Sequence, residues 1–369
     1  MRARRLTPDE VARTDPSLLV GAVLVASASV PGRRLAKGTR LDAATAHAIA
    51  SAAGNGQLGG DLRVVWPDAD DMHEDEAAER LALAVGGAGV DQRPPHQSLL
   101  QLVSKWNGVL HVRHAALAAL NQIESLEVFT LFDGQCVEEG DVVAAVKVVP
   151  HVLPAETVRR GVRLAREEGP LVEVRPYQPL HVAAIVCEPL STAARERFEL
   201  VADAKLTALG ASFAGVIDAW DADPAVATER IGLTLRALAD EERHHVVLVA
   251  GVSAGDPLSP FGEALSALGG RFVRRGLPAH PGSMLWLAEL GQVRILGLPG
   301  CGMFSMATAA DLVLPRLVTG ETLDAASLAE LAHGGILSRD MRFRMPRYAR
   351  DMETPDQASA GPSMDEPVG

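Results

Sequence analysis

Four small or polar residues follow a short apolar run in the C-terminal half of the sequence. The run at 246–250 is short and rich in β-branched residues, which predicts a buried parallel strand. Gly251, Ser253, Gly255 and Asp256 come directly after it. Glycines let the backbone turn tightly and bring bare N–H groups close to a ligand, and the helix start expected just beyond favours an anion. The chemistry that this pattern predicts is anion binding by backbone amides.

A second loop of the same kind lies further along the chain. The string Leu298-Pro-Gly-Cys-Gly302 follows another predicted strand and precedes a helix expected over 303–318. Pro299 and Gly300 are expected to fix the backbone of this loop, and Ser305 to point its hydroxyl from the first turn of the helix. Two strand ends that each open onto a helix start predict a ligand crevice at the carboxyl edge of an α/β sheet.

The first loop also fits a different chemistry. Gly251-Val-Ser-Ala-Gly255 matches the Gly-x-Ser-x-Gly pattern of a nucleophile elbow, in which Ser253 would be the nucleophile of a serine hydrolase. The next residues, Asp256 and Pro257, suit a helix cap better than a strained elbow. A hydrolase therefore stays as an alternative to anion binding.

Three motifs together resemble the molybdopterin-binding domain of molybdenum-cofactor biosynthesis proteins, a family that includes molybdopterin adenylyltransferase and molybdopterin molybdotransferase. They are Ala250-Gly-Val-Ser-Ala-Gly-Asp256, Ala279-His-Pro-Gly282 and Gly297-Leu-Pro-Gly300. The resemblance covers about residues 179–320. It implies a cytoplasmic protein of molybdenum-cofactor biosynthesis or handling, similar to the molybdotransferase. The ligand it implies is molybdopterin or its nucleotide form, with Mg²⁺ or molybdate as the metal species.

The resemblance also assigns roles to single residues. Asp256 is expected to accept a hydrogen bond from the pterin, to hold a metal ion, or simply to cap the helix that follows. The residues expected to bind the cofactor are Gly251, Ser253, Gly255, His280, Pro299, Gly300 and Ser305.

Asp223 is the second carboxylate that the resemblance singles out. Asp221-Ala-Asp-Pro224 is similar to an Asp-Asp-Pro stretch whose carboxylate lies near the active site in the family. Any chemistry would be phosphoryl or metal transfer, with Asp223 and Asp256 as catalytic carboxylates that steer Mg²⁺ or molybdate. The alternative for Asp223 is an ordinary helix N-cap before a proline at the first helical position.

The sequence departs from the family at several motif positions. His280-Pro-Gly282 stands where Lys-Pro-Gly is common, and histidine supplies a cation only in part near neutral pH. Arg274 and Arg275 either compensate or are simply solvated. The family's Thr-Gly-Asp-Glu motif is replaced by Cys187-Glu-Pro-Leu-Ser-Thr192, and its Pro-Gly-Asn-Pro loop by Pro299-Gly-Cys-Gly302. These losses weaken the expectation of molybdate insertion more than that of pterin binding, so a non-catalytic pterin-binding or scaffold module is the main alternative.

The elements that must position these residues alternate regularly in the C-terminal half. Strands are predicted at 181–187, 211–219, 246–250, 271–275, 283–289 and 293–297, with helices between most of them. This alternation predicts a doubly wound, mostly parallel α/β sheet. The predicted boundaries are 1–176 for a mixed α+β region, 179–320 for the molybdopterin-binding domain, 321–350 for a C-terminal extension and 351–369 for a disordered acidic tail.

The N-terminal region is less regular. Its acidic run at 70–76 is expected to open a helix over Glu74–Val85, where the helix dipole favours it; a metal site is the alternative. Short strands are predicted to build a small barrel-like module, and they lie at 99–105, 108–113, 126–132 and 141–149.

Composition and charge limit the classes of function that the protein can have. With 369 residues, 47% of them hydrophobic, the chain can bury the cores of roughly two or three domains. A net charge of −12 argues against a nucleic-acid partner, and no apolar run approaches the roughly 20 residues of a membrane helix. Three scattered cysteines and the lack of an apolar leader fit a reducing cytoplasm. The expected partners are a small pterin ligand, further copies of this chain, and a molybdoenzyme or another cofactor-biosynthesis protein.

Overall fold

The computed structural model describes residues 1–95, 99–240, 244–298, 300 and 307–351. The chain divides into two compact units. The first unit comprises Met1–Trp106, Leu110–Asp133 and Glu138–Val174, and the second comprises Asn107–Val109, Gly134–Val137 and the chain from Arg175 onward. Within the described residues, no helix is long and apolar enough to cross a membrane.

The chain up to residue 176 consists of short strands and helices. Its strands are β1 (Arg2–Leu6), β2 (Val23–Leu24), β3 (Ala28–Val30), β4 (Arg33–Leu35), β5 (Leu62–Trp66), β6 (Asp71–His73), β7 (Val90–Gln92), β8 (Leu99–Ser104), β9 (Gly108–Val112), β10 (Leu126–Thr130), β11 (Cys136–Val137), β12 (Val142–Val148), β13 (Val152–Pro154) and β14 (Val172–Pro176). Its helices are α1 (Pro8–Arg13), α2 (Ala43–Gly54), α3 (Glu74–Val85), α4 (His114–Asn121) and α5 (Ala155–Glu168).

Helix starts in the first unit follow local sequence rules. The Thr7 side chain accepts from the Glu10 backbone N–H while the Glu10 carboxylate accepts from the Thr7 N–H, and Pro8 occupies the first helical position. The helix predicted over Glu74–Val85 is confirmed as α3, and acidic residues fill its first turn. Their negative charge at the N-terminal end stabilises the helix.

The strands expected to form a barrel-like module lie in different sheets. Strands β10, β12, β8 and β7 form a four-stranded antiparallel sheet in that order, whereas β9 pairs with β11. Because β7 and β10 are outer strands, the expectation of a barrel is wrong for this sheet in the described part of the chain. Apolar and polar residues alternate in the same way along open and closed sheets, so the sequence pattern does not decide closure.

The second unit is organised around a six-stranded sheet with the order β16-β15-β17-β20-β19-β18. Strands β16, β15, β17 and β20 are parallel, and β19 pairs antiparallel with both β20 and β18. The expectation of a mixed α/β protein is confirmed. The bounds of these strands are β15 (His181–Val186), β16 (Ser212–Asp218), β17 (His244–Ala250), β18 (Arg271–Arg275), β19 (Trp286–Leu290) and β20 (Val293–Gly297).

Alternate side chains of the central strands enter two apolar clusters. Val182, Ala184 and Val186 of β15 belong to one cluster with residues of α6 (Thr192–Ala208) and α9 (Ala310–Val318). Ala183 and Ile185 belong to the other cluster with residues of α7 (Pro224–Asp240) and α8 (Pro260–Ala267). Burial on both faces explains why these strands are almost wholly apolar. The helices of this unit are α6 (Thr192–Ala208), α7 (Pro224–Asp240), α8 (Pro260–Ala267), α9 (Ala310–Val318), α10 (Ala325–Ala329) and α11 (Arg347–Asp351).

Residues after α9 belong to the same core as the sheet. They include a 3-10 helix at Glu330–Ala332 and another at Arg339–Arg344. The buried members of the first apolar cluster in this stretch are Leu323, Leu328, Leu331, Leu337, Met345, Tyr348 and Ala349. The stretch that the sequence presents as an extension therefore supplies core of the second unit.

The helix predicted over 303–318 begins later than expected. Its described part, α9, starts at Ala310, while 307–309 are not helical and 303–306 lie outside the described residues. The Asp311 carboxylate accepts a hydrogen bond from the Thr308 N–H at 2.8 Å. A side chain that bonds the backbone just before it marks a helix start, and the unbroken run of apolar and small residues conceals that start in the sequence.

Candidate functional site

The carboxyl ends of the parallel strands meet at one edge of the six-stranded sheet. Cys187 N–H donates to Ala250 O at 2.9 Å, and Leu298 N–H donates to Val249 O at 2.8 Å. The chain segments that leave β15, β17 and β20 therefore start side by side. A crevice at this edge is what the two-loop pattern predicts.

The connection between β18 and β19 reaches the same edge. Arg275 at the end of β18 pairs with Trp286, and Trp286 pairs with Gly297 at the end of β20. His280 lies in this connection and is exposed. The structure thus brings the His280 segment and the loop after β17 to one end of the sheet.

The loop after β17, residues 251–258 and here called the glycine loop, has an exposed tip. Ser253 Oγ accepts from the Gly255 N–H at 3.2 Å, and Asp256 Oδ1 accepts from the Leu258 N–H at 2.9 Å. In the described chain, no hydrogen-bond partner is found for the N–H groups of Ser253 and Ala254. Successive backbone N–H groups without a partner in the protein can donate to a bound anion.

Gly251 is required by packing behind the loop. Its φ is +79°, and a Cβ built on it would lie 2.6 Å from Cβ of Glu188. The glycine therefore lets the loop pass directly over the segment after β15. Gly255 has no such constraint, since its nearest neighbours, Ser253 Oγ and Met284 Cε, lie at ordinary contact distances of 3.7 and 3.9 Å.

Asp256 does not cap the helix that follows it. The N-cap of α8 is Ser259, whose side chain accepts from the Gly262 N–H. The exposed Asp256 carboxylate accepts from the Leu258 N–H, as in a short turn. Among the described residues there is no group of three or more His, Cys, Asp or Glu that could hold a metal ion. A cation at Asp256 would take its other ligands from a bound molecule and water.

Asp223 lies further along the same edge and begins α7. Its carboxylate accepts from the Ala225 N–H at 2.9 Å, and Pro224 is the first helical residue. Asp221 forms an ion pair with Arg230 at 3.1 Å. Because β15 separates β16 from β17, the strands leading to Asp223 and to the glycine loop are roughly 10 Å apart.

The second predicted loop is described only at its start. Gly300 is exposed, and a Cβ built on it would meet none of the described residues within 4 Å. Pro299 and Ser305 lie outside the described residues. Leu298 is buried beside the glycine loop's strand, so the described part of this loop starts where the prediction places it.

Arg275 is a site residue that the sequence left undecided. Its guanidinium carbon lies 3.7 Å from the ring centre of Phe272, and its Nη1 donates to the Asp256 carbonyl oxygen at 3.4 Å. The ring holds the guanidinium by a cation–π contact at the side of the glycine loop. A cation is thus supplied at the glycine loop, although the sequence has His280 where the family commonly has a lysine.

Trp286 supports the glycine loop from behind and was not predicted as a site residue. It is fully buried, and its indole N–H donates to the Val252 carbonyl oxygen at 3.0 Å. Its ring lies 4.9 Å from that of Phe261 and 5.2 Å from that of Phe272. In the sequence it is one apolar residue of a predicted strand, and no local pattern distinguishes it.

Ser253 does not occupy a nucleophile elbow. An elbow places the serine on a sharp turn directly between a strand and a helix. Here α8 begins only at Pro260, and the Ser253 hydroxyl accepts from the Gly255 N–H. The geometry gives the hydrolase alternative no support.

Cys187, at the edge of the sheet, is expected to be unreactive. Burial, with the neighbouring Glu188 charge, raises the pKa of Cys187 to about 12, and burial also raises the pKa of Cys136 to about 12. A raised pKa keeps both thiols neutral at pH 8, where about one molecule in ten thousand carries the reactive thiolate. In a Cys301→Ser variant we therefore expect slow iodoacetamide labelling that rises about tenfold per pH unit between pH 7 and 9.

Mass spectrometry of the labelled peptides measures this rate. The same variant in urea is the control, and both thiols should react quickly there. Fast labelling of Cys187 at pH 8 in the folded protein would contradict the raised pKa of this half-buried thiol.

Comparisons with known proteins give structural neighbours only. No protein-family model and no curated protein matches the sequence. One solved structure, of molybdenum cofactor biosynthesis protein B, is 16% identical with a TM-score of 0.28, and the alignment covers 39% of this chain and 95% of that chain. Another, the molybdopterin biosynthesis moea protein from Pyrococcus horikosii, is 13% identical with a TM-score of 0.25, covering 68% of this chain and 79% of that chain. Both TM-scores are too low to establish a shared fold.

Proposed function

We propose that this protein binds molybdopterin, or its nucleotide form, at the carboxyl edge of the six-stranded sheet and acts in molybdenum-cofactor biosynthesis or handling. The observation that supports it best is the pair of adjacent N–H groups, at Ser253 and Ala254, that have no hydrogen-bond partner among the described residues, in the loop whose Asp256 carbonyl oxygen accepts from the Arg275 guanidinium. The sequence motifs around Gly251 and His280 resemble those of the molybdopterin-binding family. A phosphate-bearing pterin is a ligand that fits both the anion-binding groups and the motifs.

The residues at this edge suit the two ends of such a ligand. The phosphate would accept hydrogen bonds from N–H groups of the glycine loop and pair with the positive charge of Arg275. Such local donors are needed because a chain with a net charge of −12 does not attract an anion as a whole. The Asp256 carboxylate and the half-buried Glu188 are acceptors for pterin N–H groups. His280 adds a third polar side chain at the same edge.

The finer proposal is a doubly wound domain with transferase chemistry. In it Asp256 would hold Mg²⁺, which would supply the positive charge for a phosphate or molybdate group, and Asp223 would be the second catalytic carboxylate. Further copies of the chain, or a molybdoenzyme that receives the cofactor, are the proposed partners. One observation favours the simpler candidate, a non-catalytic pterin-binding module: Asp223 is engaged as a helix cap two strands away from the glycine loop.

Anaerobic titration with molybdopterin tests the proposal. We expect binding heat by calorimetry and a change in tryptophan fluorescence, because Trp286 bonds directly to the glycine loop. Arg275→Met should weaken binding about tenfold or more, since a charged hydrogen bond contributes roughly 1.5–3 kcal/mol.

Arg271 provides the matched control for this variant. It lies on the same strand at the opposite end of the sheet and pairs with Glu289 at 2.7 Å. Arg271→Met should leave the affinity within about twofold, because it removes a charge of the same sign far from the glycine loop. If the wild-type protein gives no heat at tens of micromolar molybdopterin, the proposed function is wrong.

A further inference from the structure

A buried ion pair lies at the start of α9. Lys205 Nζ is 2.8 Å from Asp311 Oδ1, and the two side chains are 8% and 1% exposed. The other oxygen of Asp311 accepts from the Thr308 N–H at 2.8 Å. One carboxylate therefore joins α6 to the three residues that precede α9.

Stability alone does not account for this pair. Removing two charges from water is costly, and replacing a buried ion pair by apolar residues of similar size often leaves stability unchanged or raises it. Lys205 and Asp311 line a small cavity whose other walls are apolar, so apolar side chains at these two positions would face like neighbours there, with the buried Tyr348 hydroxyl as the polar group beside Asp311. Those walls are formed by Phe198, Val201, Ala202, Leu248, Leu298, Ala310 and Leu314.

The backbone held by Asp311 carries the segment that contains His280. The Ala309 N–H donates to the Pro281 carbonyl oxygen at 2.9 Å. A Cβ on Gly282 would lie 2.8 Å from the Ala309 nitrogen and 3.2 Å from Thr308 Cβ. The backbone of 281–282 therefore lies directly against 308–309, and a shift of one requires a shift of the other.

The chain after α9 holds the same segment from its other side. His280 N–H donates to Gly335 O at 2.7 Å, and Leu337 N–H donates to His280 O at 2.8 Å. Further along, the Tyr348 ring centre lies 5.7 Å from Lys205 Nζ. The His280 segment is thus fixed between the residues before α9 and the C-terminal stretch, and the ion pair contacts both.

We infer that Asp311 is a positioning residue for the candidate site: its bond to Thr308 sets the place of the segment 279–282 at the carboxyl edge of the sheet. The effect on ligand affinity rests on the proposed function. The effect on the backbone of 279–282 does not, and it can be measured without any ligand.

Paired substitutions separate positioning from stability. Lys205→Met with Asp311→Leu removes both charges and the acceptor for Thr308, whereas Lys205→Met with Asp311→Asn removes the charges but keeps an amide oxygen for that N–H. The control is Arg316→Met with Glu321→Leu. This pair lies at the other end of α9, with its charged atoms 2.6 Å apart and side chains 8% and 10% exposed.

Amide hydrogen exchange and molybdopterin titration are the two measurements, with thermal unfolding run beside them. In the Leu double variant we expect exchange at His280 and Ala309 to rise at least tenfold and affinity to fall at least tenfold, with an unfolding temperature at or above that of the wild type. The Asn double variant and the Arg316/Glu321 control should stay within threefold of the wild type in both measurements.

The inference is overturned if the Leu double variant exchanges His280 and Ala309 at the wild-type rate, or if the control loosens them equally. Wild-type protein that fails to bind molybdopterin contradicts the proposed function instead, and exchange still decides the role of Asp311. Normal exchange with lost affinity in the Leu double variant would also count against Asp311 acting through this segment.

Discussion

Trp286→Ala is expected to lower the free energy of unfolding by roughly 3–5 kcal/mol, the range measured for truncating a large buried aromatic side chain. Trp286 is fully buried in the cluster that includes Phe261 and Phe272. The variant also leaves the Val252 carbonyl oxygen without its indole donor, which costs more when the group is buried. Urea unfolding followed by circular dichroism measures the loss independently of tryptophan emission.

Trp220 is the matched control for this substitution. It also lies at the carboxyl edge of the sheet, but 40% of its surface is exposed. Because less apolar surface is removed from water at this position, Trp220→Ala should cost clearly less than Trp286→Ala, about 2 kcal/mol or less. Equal losses for the two variants would contradict the expectation that complete burial in the aromatic cluster sets the larger cost at Trp286.

Gly251→Ala is expected to destabilise the protein by roughly 2–4 kcal/mol. A left-handed backbone costs a non-glycine residue about 1–2 kcal/mol, and at φ +79° the added Cβ would also meet Glu188 at 2.6 Å. Relief of that overlap has to move the glycine loop, because overpacked sites shift their backbone. We therefore expect molybdopterin affinity to fall together with the unfolding temperature.

Gly255→Ala shows whether the effect is specific to that position. Gly255 lies in the same loop, is absent from the positive-φ glycines, and offers a Cβ only contacts of 3.7 Å and longer. The free energy of unfolding of the Gly255→Ala variant should differ from that of the wild type by no more than about 0.5 kcal/mol. If Gly255→Ala lowered the free energy of unfolding as much as Gly251→Ala, both glycines would be needed for loop flexibility, and packing against Glu188 would not explain the effect.

The sequence predicts the sheet and its loops because their causes are local. An apolar run with β-branched residues is a buried strand wherever it occurs, and 246–250 is the centre of β17. The order Asp223-Pro224 is likewise a local signal, because an aspartate followed by a proline is typical of a helix cap and the first helical residue. The placement of the glycine loop at a carboxyl edge follows from the alternation of strands and helices.

The missed features depend on contacts between distant parts of the chain. The partner of Lys205 is Asp311, 106 positions away, and no periodicity connects them. Arg275 could not be told from a solvated arginine, because its place beside Asp256 follows from the pairing of β18 with β19. Asp256 was a reasonable cap by residue type, yet Ser259 takes that role because α8 begins later.

The burial of residues 323–349 against the sheet sets a lower limit on the piece of this protein that can fold by itself. A fragment that stops at residue 320 would leave the partners of Leu323, Leu328 and Leu331 facing water. Uncovered apolar surface of that kind promotes aggregation. Expression of the α/β portion as an independent module therefore has to continue at least through Ala349, and a premature stop codon between the last sheet strand and residue 349 would remove part of the core.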